Sequence, residues 1–490
     1  MDKKVIGMYV HQHWAYNHPY AARTWSLEDW RGYVGGLKRL GYNAVMIWPL
    51  LETMPDPLTP SDIANIEKIA RVIDLLKSEF CMQAYVTLSP NVVARNEEAS
   101  KFAFEDRPFF YCDERIDPSD ATARAEMISW RERLLEPLSR MDGLVIIDSD
   151  PGGYAGSTNA EFVQLLEDHR HMLDRLRNGI ELVYWIHAGW QAYGRFYATA
   201  HFEWGPDDEV AETIALLSSR NLEPWGITGA RQHVVEQVGL GDRMFTFPYG
   251  TIEGEPSFPL TNFETGVGEK VRQNLGRQGI MGNAQTHCLQ LPNTFAFARA
   301  AKGLAVTEAD YVRFAGELIE GAGERIVACW TALAGHAPDA MDEAVTSVEA
   351  IQRNPIEEGP LGGLLFGNPR RFLSDLALQL RLVAAWKRFQ SVVCAEPRDT
   401  KTAASLLGSF ANAAEAWQGV HGYGNNWSWP GLVEALQSFG DLELDAALET
   451  RNYIAEGATP SERLRNGFAL VETYTPRLIT AMKAAARRRA

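Results

Sequence analysis

The first 300 residues repeat one unit eight times: a short apolar run followed by an amphipathic stretch. Several stretches carry helix boundaries, such as a candidate N-cap at Ser26 and a candidate stop at Gly41. Near-continuous apolar strands that alternate with helices predict a parallel sheet covered on both faces. Eight such units match the size of a closed (β/α)8 barrel. The predicted strands cover residues 4–10, 43–49, 82–88, 143–148, 181–187, 223–228, 244–250 and 279–287.

An open, doubly wound sheet is the alternative arrangement for the same alternation of strands and helices. The commonest dinucleotide-binding form of this open sheet has a strand followed directly by a GxGxxG turn. No predicted strand here is followed by such a turn. The sequence therefore predicts an α/β fold with a TIM barrel over residues 1–305, and it calls for no cofactor.

After about Val306 the strand pattern stops, and long Ala- and Leu-rich segments with a helical period follow. We therefore expect an all-helical C-terminal region over residues 306–490. One segment interrupts it, HGYGNNWSWPG (His421–Gly431), whose Trp, Tyr and Asn content is unusual between solvated helices. We expect this segment to fold back over the pocket; a plug between helices and a contact between copies of the chain are the alternatives.

Composition and charge exclude several classes of partner. The net charge of -16 argues against nucleic acid and anionic membranes, because both require basic patches. The five cysteines form no CxxC pair, so neither a zinc knuckle nor a disulfide framework is predicted. No apolar run approaches the roughly 18 residues of a membrane span, and the N-terminus lacks a signal-peptide pattern. The expected location is the cytoplasm, and a homo-oligomer is compatible with the sequence.

Polar and aromatic residues collect where the predicted strands end. The C-terminal ends of barrel strands form the active-site face, so these residues are expected at one mouth of the barrel. The first strand leads into HQHW, the fifth into WIHAGW, and the eighth ends in NAQTH. Core packing is the alternative role for the tryptophans. The expected substrate-binding residues are His11, His13, Trp14, Trp48, His187, Trp190, Trp204, Tyr249, Gln285 and His287.

The fourth predicted strand runs into two acids, in the segment DGLVIIDSDPGGY. Because side chains alternate along a strand, Asp148 and Asp150 are expected to point the same way. Pro151 and the two glycines after it end the strand. The plainer alternative is an Asp-Pro-Gly turn in which Asp150 bonds its own backbone. Several aromatic residues at the same predicted rim favour a functional site.

Carboxylates beside Trp, Tyr, His and Asn suit a carbohydrate pocket, and cleavage of a glycosidic bond typically uses two carboxyl groups. We expect Asp148 or Asp150 to be the general acid, because crowded acids beside an apolar run favour protonation of one of them. Glu203 is the expected partner, since Phe202 and Trp204 flank it. The competing partners are Glu52, Glu253 and Glu255. The predicted function is that of a glycoside hydrolase acting on an oligosaccharide or glycoconjugate.

The opening segment, GMYVHQHW to NAVMIWP, resembles barrel glycoside hydrolases of the β-hexosaminidase, O-GlcNAcase-like and α-glucuronidase groups. The similarity lies in a W-S-x-E-x-W helix start followed by LKxLGYNxV. DPGGY after the fourth strand is similar to the DPGG turn of the α-glucuronidase-like group. The Asp-Glu pair of hexosaminidases and the chitinase pattern DGxDxDxE are not met. The resemblance implies a barrel that acts on a glycoside, and it names no particular sugar.

Two other functions fit parts of the sequence. HQHW resembles the HxH motif of metal-dependent amidohydrolases, with His187 and either His201 or His287 as further ligands, and imidazoles suit zinc. That family also has an Asp after the eighth strand and a bridging Lys after the fourth, and both are missing here. We therefore predict no metal site. A sugar-binding barrel without catalysis is the third possibility.

Overall fold

The computed structural model describes residues 4–13, 17–199, 201–253, 266–335, 337–395, 399–422, 431–449 and 455–490. Seven parallel strands form one curled sheet in the order β8-β7-β6-β3-β2-β1-β9. Two short antiparallel strands, β4 and β5, form a separate hairpin after β3. The strands are β1 (Val5–His11), β2 (Ala44–Trp48), β3 (Gln83–Leu88), β4 (Val92–Ala94), β5 (Asp113–Arg115), β6 (Gly143–Ile147), β7 (Glu181–Ile186), β8 (Trp225–Gly229) and β9 (Gly279–Asn283).

Residues 244–247 close the sheet into a barrel. Met244 forms a parallel bridge with Ile227 of β8, and Thr246 forms one with Ile280 of β9. The N–H of Phe247 also donates to the carbonyl of β8 residue Gly229 at 2.9 Å. This segment occupies the position of the seventh predicted strand, so the predicted TIM barrel with a helical C-terminal region is confirmed.

Helices cover the outside of the barrel, and their ends follow the capping signals in the sequence. Ser26 caps α1 in a reciprocal pair with Asp29, and Gly41 ends the helix at a φ of 99°, as expected. The helices up to residue 301 are α1 (Leu27–Leu40), α2 (Pro60–Ser78), α3 (Asn96–Ala99), α4 (Phe109–Cys112), α5 (Ala121–Leu135), α6 (Asn159–Leu176), α7 (Trp190–Thr199), α8 (Asp207–Ser218), α9 (Gln232–Gln237), α10 (Val267–Asn274) and α11 (Leu291–Ala301).

Beyond α11 the described residues form helices and one isolated antiparallel bridge, between Ile319 and Glu358. No helix in the described part of the chain has the length and apolar character needed to cross a membrane. The division at residue 305 stays a prediction. The helices of this region are α12 (Glu308–Leu318), α13 (Gly323–Gly335), α14 (Pro338–Gln352), α15 (Pro369–Val393), α16 (Thr400–His421), α17 (Leu432–Phe439), α18 (Leu442–Glu449), α19 (Pro460–Glu472) and α20 (Tyr474–Arg489).

The helical region borders the mouth of the barrel. The guanidinium of Arg463, in α19, donates to the backbone carbonyl of Tyr197 in α7. At the end of α16, the carbonyl of His421 accepts from the N–H of Asn17 in the loop after β1, at 2.9 Å. Residues 423–430 of the HGYGNNWSWPG segment lie outside the described residues, so the predicted covering of the pocket stays a prediction.

An aromatic cluster fills the barrel beneath the mouth. The rings of Tyr9, Trp185 and Phe247 meet edge to face, with centroids 4.6–5.4 Å apart. The ring of His11 stacks on Tyr9, with centroids 5.5 Å apart. The barrel interior is therefore a packed core here, as is usual for this fold.

His169 of α6 is buried in the helix layer with both ring nitrogens bonded. Its Nδ1 lies 2.6 Å from the carbonyl oxygen of Leu165, and its Nε2 lies 2.6 Å from Nη1 of Arg131. Nδ1 therefore carries the proton of a neutral ring. Burial, and then the positive charge of Arg131, lower the pKa of His169 to about 3.

We expect His169 to make the fold sensitive to acid. Its folded pKa lies below the ordinary value of 6.5, so the unfolded chain binds a proton more readily, and stability is lost as the pH falls through 6.5 towards 3. Between about pH 7 and about pH 5 the loss is roughly 2 kcal/mol in the free energy of unfolding. His169→Gln cannot be protonated but can still accept from Arg131. Urea unfolding at these two pH values should show a smaller loss in the free energy of unfolding for this variant than for the wild type. Equal losses in the two proteins would contradict this role of His169.

Candidate active site

Asp148, directly after β6, is fully buried and holds the backbone of the next barrel loop. Its two oxygens accept hydrogen bonds at 2.7–3.2 Å from the N–H groups of His187, Ala188 and Gly189 and from the hydroxyls of Ser149 and Tyr184. Burial raises the pKa of Asp148, whereas these donors and His187 act in the opposite direction. With five donors around it, this carboxylate anchors the loop after β7.

Two other acids at the strand ends repeat this arrangement. Glu52, after β2, accepts from Nε1 of Trp48 at 3.0 Å and from the N–H of Ser89 after β3. Glu253, after residues 244–247, accepts from the N–H groups of Gln285 and Thr286, at 2.6 and 2.7 Å, beyond β9. Burial raises the pKa of both carboxyl groups. In each case a buried carboxylate fixes the loop of the neighbouring strand, which favours a structural role over catalysis.

Asp150 has a different environment. β6 ends at Ile147 and Asp150 has a φ of 69°, so the strand alternation that predicted a shared direction with Asp148 does not reach it. Its carboxylate is partly exposed, and its Oδ1 accepts from the hydroxyl of Tyr193 in α7 at 3.0 Å. Among the described residues it bonds no backbone N–H, so this carboxylate is available to a ligand.

Four aromatic residues, Tyr193, Phe196, Phe202 and Trp204, form a continuous surface beside Asp150, which we call the aromatic shelf. Phe202 lies at the centre, with its ring centroid 5.4–5.9 Å from those of the other three. Trp204 is 55% exposed, and its ring meets that of His187 edge to face at 5.3 Å. The shelf therefore connects Asp150 to His187 and presents an indole to solvent.

Glu203 lies within the aromatic shelf sequence, between Phe202 and Trp204. Its side chain is exposed, and its Oε1 lies 3.5 Å from Nε2 of His201. The structure therefore brings together Asp150, His187 and Trp204 of the predicted site through the rings of the shelf, whereas the carboxylate of Glu203 contacts His201 and its place in the site stays a prediction. Among the described acids predicted for the site, Asp150 is partly exposed and Glu203 exposed, whereas the others are buried.

His11 and His13 line the mouth near the buried guanidinium of Arg23. Nδ1 of His11 accepts from the N–H of His13 at 3.2 Å, and the His11 ring also hydrogen-bonds Gln285. Burial, and more weakly Arg23, lower the pKa of His11 to about 4. The ring of His13 packs against both Phe109 and Phe110, with centroids 4.8 Å away, and burial lowers its pKa as well. Both rings are therefore neutral at neutral pH.

This arrangement does not suit the metal-binding role of an HxH motif. A histidine ligates a metal through a ring lone pair, and the Nδ1 lone pair of His11 is already used by the backbone of His13. In the part of the chain that the structure describes, no three His, Cys, Asp or Glu side chains come together as a metal site would require.

The other predicted site residues differ in burial, and the buried ones pack into the core. Trp190 is 1% exposed, stacks on Phe162 at 4.9 Å and so packs against α6, as the core-packing alternative expected. His287 is buried against Tyr33 of α1, whose hydroxyl lies 2.6 Å from its Nδ1. Neither joins the group around Asp150. Trp48 is buried beside Glu52, whereas Tyr249 is half exposed. Trp14 and Glu255 lie outside the described residues.

Sequence reasoning missed Tyr193, Phe196 and Ser149. Tyr193 and Phe196 are three residues apart in α7, so they share a helix face, and this spacing is visible in WQAYGRFY. Ser149 lies between the two acids of the DSD segment, and no sequence pattern indicated a functional role for it. Its role depends on contacts with another strand, which a single sequence does not contain.

No protein-family model matches this sequence, and no curated protein sequence matches it. Among solved structures, a GH138 enzyme targeting pectin rhamnogalacturonan II is similar over 99% of this chain and 84% of its own, with 8% identity and a TM-score of 0.46. Dispersin B is similar over 61% of this chain and 98% of its own, with 12% identity and a TM-score of 0.32. A GH5_18 structure from Streptomyces cattleya, in complex with GlcNAc, is similar over 61% and 80%, with 12% identity and a TM-score of 0.35.

These three are glycoside hydrolases, and at 8–12% identity their similarity to this chain concerns the fold alone. The finer resemblance to the β-hexosaminidase, O-GlcNAcase-like and α-glucuronidase groups stays a prediction from the sequence motifs. The functional assignment therefore depends on the residues of the mouth itself.

Proposed function

We propose that this protein hydrolyses a glycosidic bond, with the substrate held on the aromatic shelf between Asp150 and Glu203. One observation carries the proposal: Asp150 accepts from the shelf residue Tyr193 and Glu203 is exposed between two shelf residues in sequence, whereas the other described acids predicted for this mouth are bonded to backbone N–H groups. Those other acids are Glu52, Asp148 and Glu253.

The aromatic shelf supplies the apolar contact that a sugar ring requires. The C–H faces of a pyranose stack on indole and phenol rings, and the half-exposed Trp204 offers such a face next to Glu203. Glycosidic cleavage needs one carboxyl group to protonate the leaving oxygen and a second to act as base or nucleophile. Asp150 is the better acid of the strand-end pair, because Asp148 is enclosed by its five donors. Glu203 is the partner in this proposal.

A panel of aryl glycosides, of neutral, N-acetylated and uronic sugars, tests the function with and without EDTA. We expect release of the aryl alcohol from at least one member, with no loss of rate in EDTA, because the mechanism uses side-chain carboxyl groups alone. Activity lost in EDTA and restored by zinc or manganese would favour metal-dependent hydrolysis instead. Saturable binding of a sugar with no cleavage of any member would favour a sugar-binding protein.

A further inference from the structure

Ser149 lies between Asp148 and His187 and is fully buried. Its Oγ is 2.7 Å from Oδ1 of Asp148 and 3.0 Å from Nδ1 of His187. The same oxygen also accepts from the N–H of Ala188 at 3.2 Å. A buried acid, a hydroxyl and an imidazole are thus joined in series, and the series ends at the mouth of the barrel.

The number of available protons decides the direction of these bonds. The Ser149 hydroxyl has one hydrogen, and the nearby carboxylate of Asp148 is a stronger acceptor than a neutral imidazole nitrogen. The hydroxyl therefore donates to Asp148. Nδ1 of His187 then has to be the donor towards Ser149 Oγ, so the proton of the neutral His187 ring is on Nδ1 and the lone pair is on Nε2.

Nε2 of His187 is the end of the series that a ligand can reach. The His187 side chain is partly exposed, and the half-exposed ring of Trp204 lies 5.3 Å from it. No described residue forms a hydrogen bond with Nε2. The Nε2 lone pair of His187 is therefore presented at the end of the aromatic shelf, beside the ring of Trp204.

We propose that Asp148 and Ser149 hold His187 in the Nδ1–H tautomer, so that Nε2 accepts a hydrogen bond from a hydroxyl group of the bound sugar. The acceptor role rests on the proposed function, whereas the tautomer does not. Ser149 is a positioning residue in this arrangement. His187 determines specificity, because a sugar without a hydroxyl at that position leaves Nε2 without a donor.

NMR of the 15N-histidine-labelled protein without ligand tests the tautomer. Spectra are recorded at rising pH, up to about pH 9, until the histidine signals no longer change, so that the neutral ring is observed. The His187 signals are assigned by their loss in His187→Gln. We expect a protonated Nδ1 and an unprotonated Nε2 in the wild type, and a shift towards the Nε2–H form in Ser149→Ala. Ser219→Ala, an exposed serine at the end of α8, is the matched control and should leave the His187 pattern unchanged.

An Nε2–H ring in the wild type would overturn the tautomer assignment, as would an unchanged pattern in Ser149→Ala. The acceptor role is tested with a cleaved glycoside and its series of single-deoxy analogues. Ser149→Ala should lower kcat/KM on the order of tenfold for the parent sugar, the usual size of one hydrogen bond, and much less for one deoxy analogue. An equal effect on the parent and on every analogue would overturn this role. If the protein cleaves and binds no glycoside, the acceptor role fails together with the proposed function, while NMR still decides the tautomer.

Discussion

Asp150→Asn is expected to lower kcat on a responsive glycoside by a factor on the order of 10²–10⁴, the usual contribution of a general acid–base group. The substitution removes the transferable proton and changes little else. The side chain is partly exposed, and an amide oxygen can still accept from the hydroxyl of Tyr193. Asparagine also tolerates the left-handed backbone at this position, where φ is 69°. The unfolding midpoint should therefore stay close to that of the wild type.

Steady-state kinetics on the same glycoside checks this expectation. Glu203→Gln tests the partner and should cause a loss of similar size. Glu67→Gln, on the exposed face of α2, makes the same kind of change outside the mouth and should keep the wild-type rate. If Asp150→Asn retains the rate within a few-fold, the carboxylate is a turn residue and the mechanism is wrong.

Asp148→Asn is expected to act mainly on stability, with a loss of roughly 3 kcal/mol in the free energy of unfolding. The carboxylate of Asp148 only accepts hydrogen bonds, and its five donors surround both oxygens. An amide replaces one oxygen by an NH2 group. The NH2 group is itself a donor, and in this fully buried site it would face only other donors. A buried donor without an acceptor destabilises the folded state.

Urea unfolding of Asp148→Asn, beside Glu67→Gln as control, measures this loss. A variant with wild-type stability and a rate reduced 10²-fold or more would contradict the structural role. It would instead make Asp148 the general acid, as the sequence alone allowed. Two acids separated by one residue are thus expected to give opposite results, one in kinetics and one in stability.

The strands were predictable because burial on both faces leaves a continuous apolar run. Seven of the eight runs form regular strands, and the seventh run in chain order is held at residues 244–247 by two isolated bridges. The run predicted from residue 223 starts instead at Trp225, after Pro224, which has no N–H to donate. The hairpin of β4 and β5 was not predicted, since strands of three residues are too short to show an alternating pattern.

The mouth was predictable as a location but not in its side-chain directions. Alternation holds only within a strand, and Asp150 lies three residues past the end of β6, in a left-handed conformation. A tryptophan suits both a core and a sugar platform, so sequence alone could not separate the buried Trp190 from the exposed Trp204. Which acids bind backbone N–H groups depends on contacts between strands far apart in sequence.

The three buried carboxylates have a consequence for engineering this barrel. Glu52, Asp148 and Glu253 each reach from the loop of one strand into the loop of its neighbour. A loop grafted singly from another barrel would lose either its acid or the amides that the acid binds. Neighbouring loops therefore have to be exchanged in pairs, and the natural unit of recombination at this mouth is two adjacent β–α repeats.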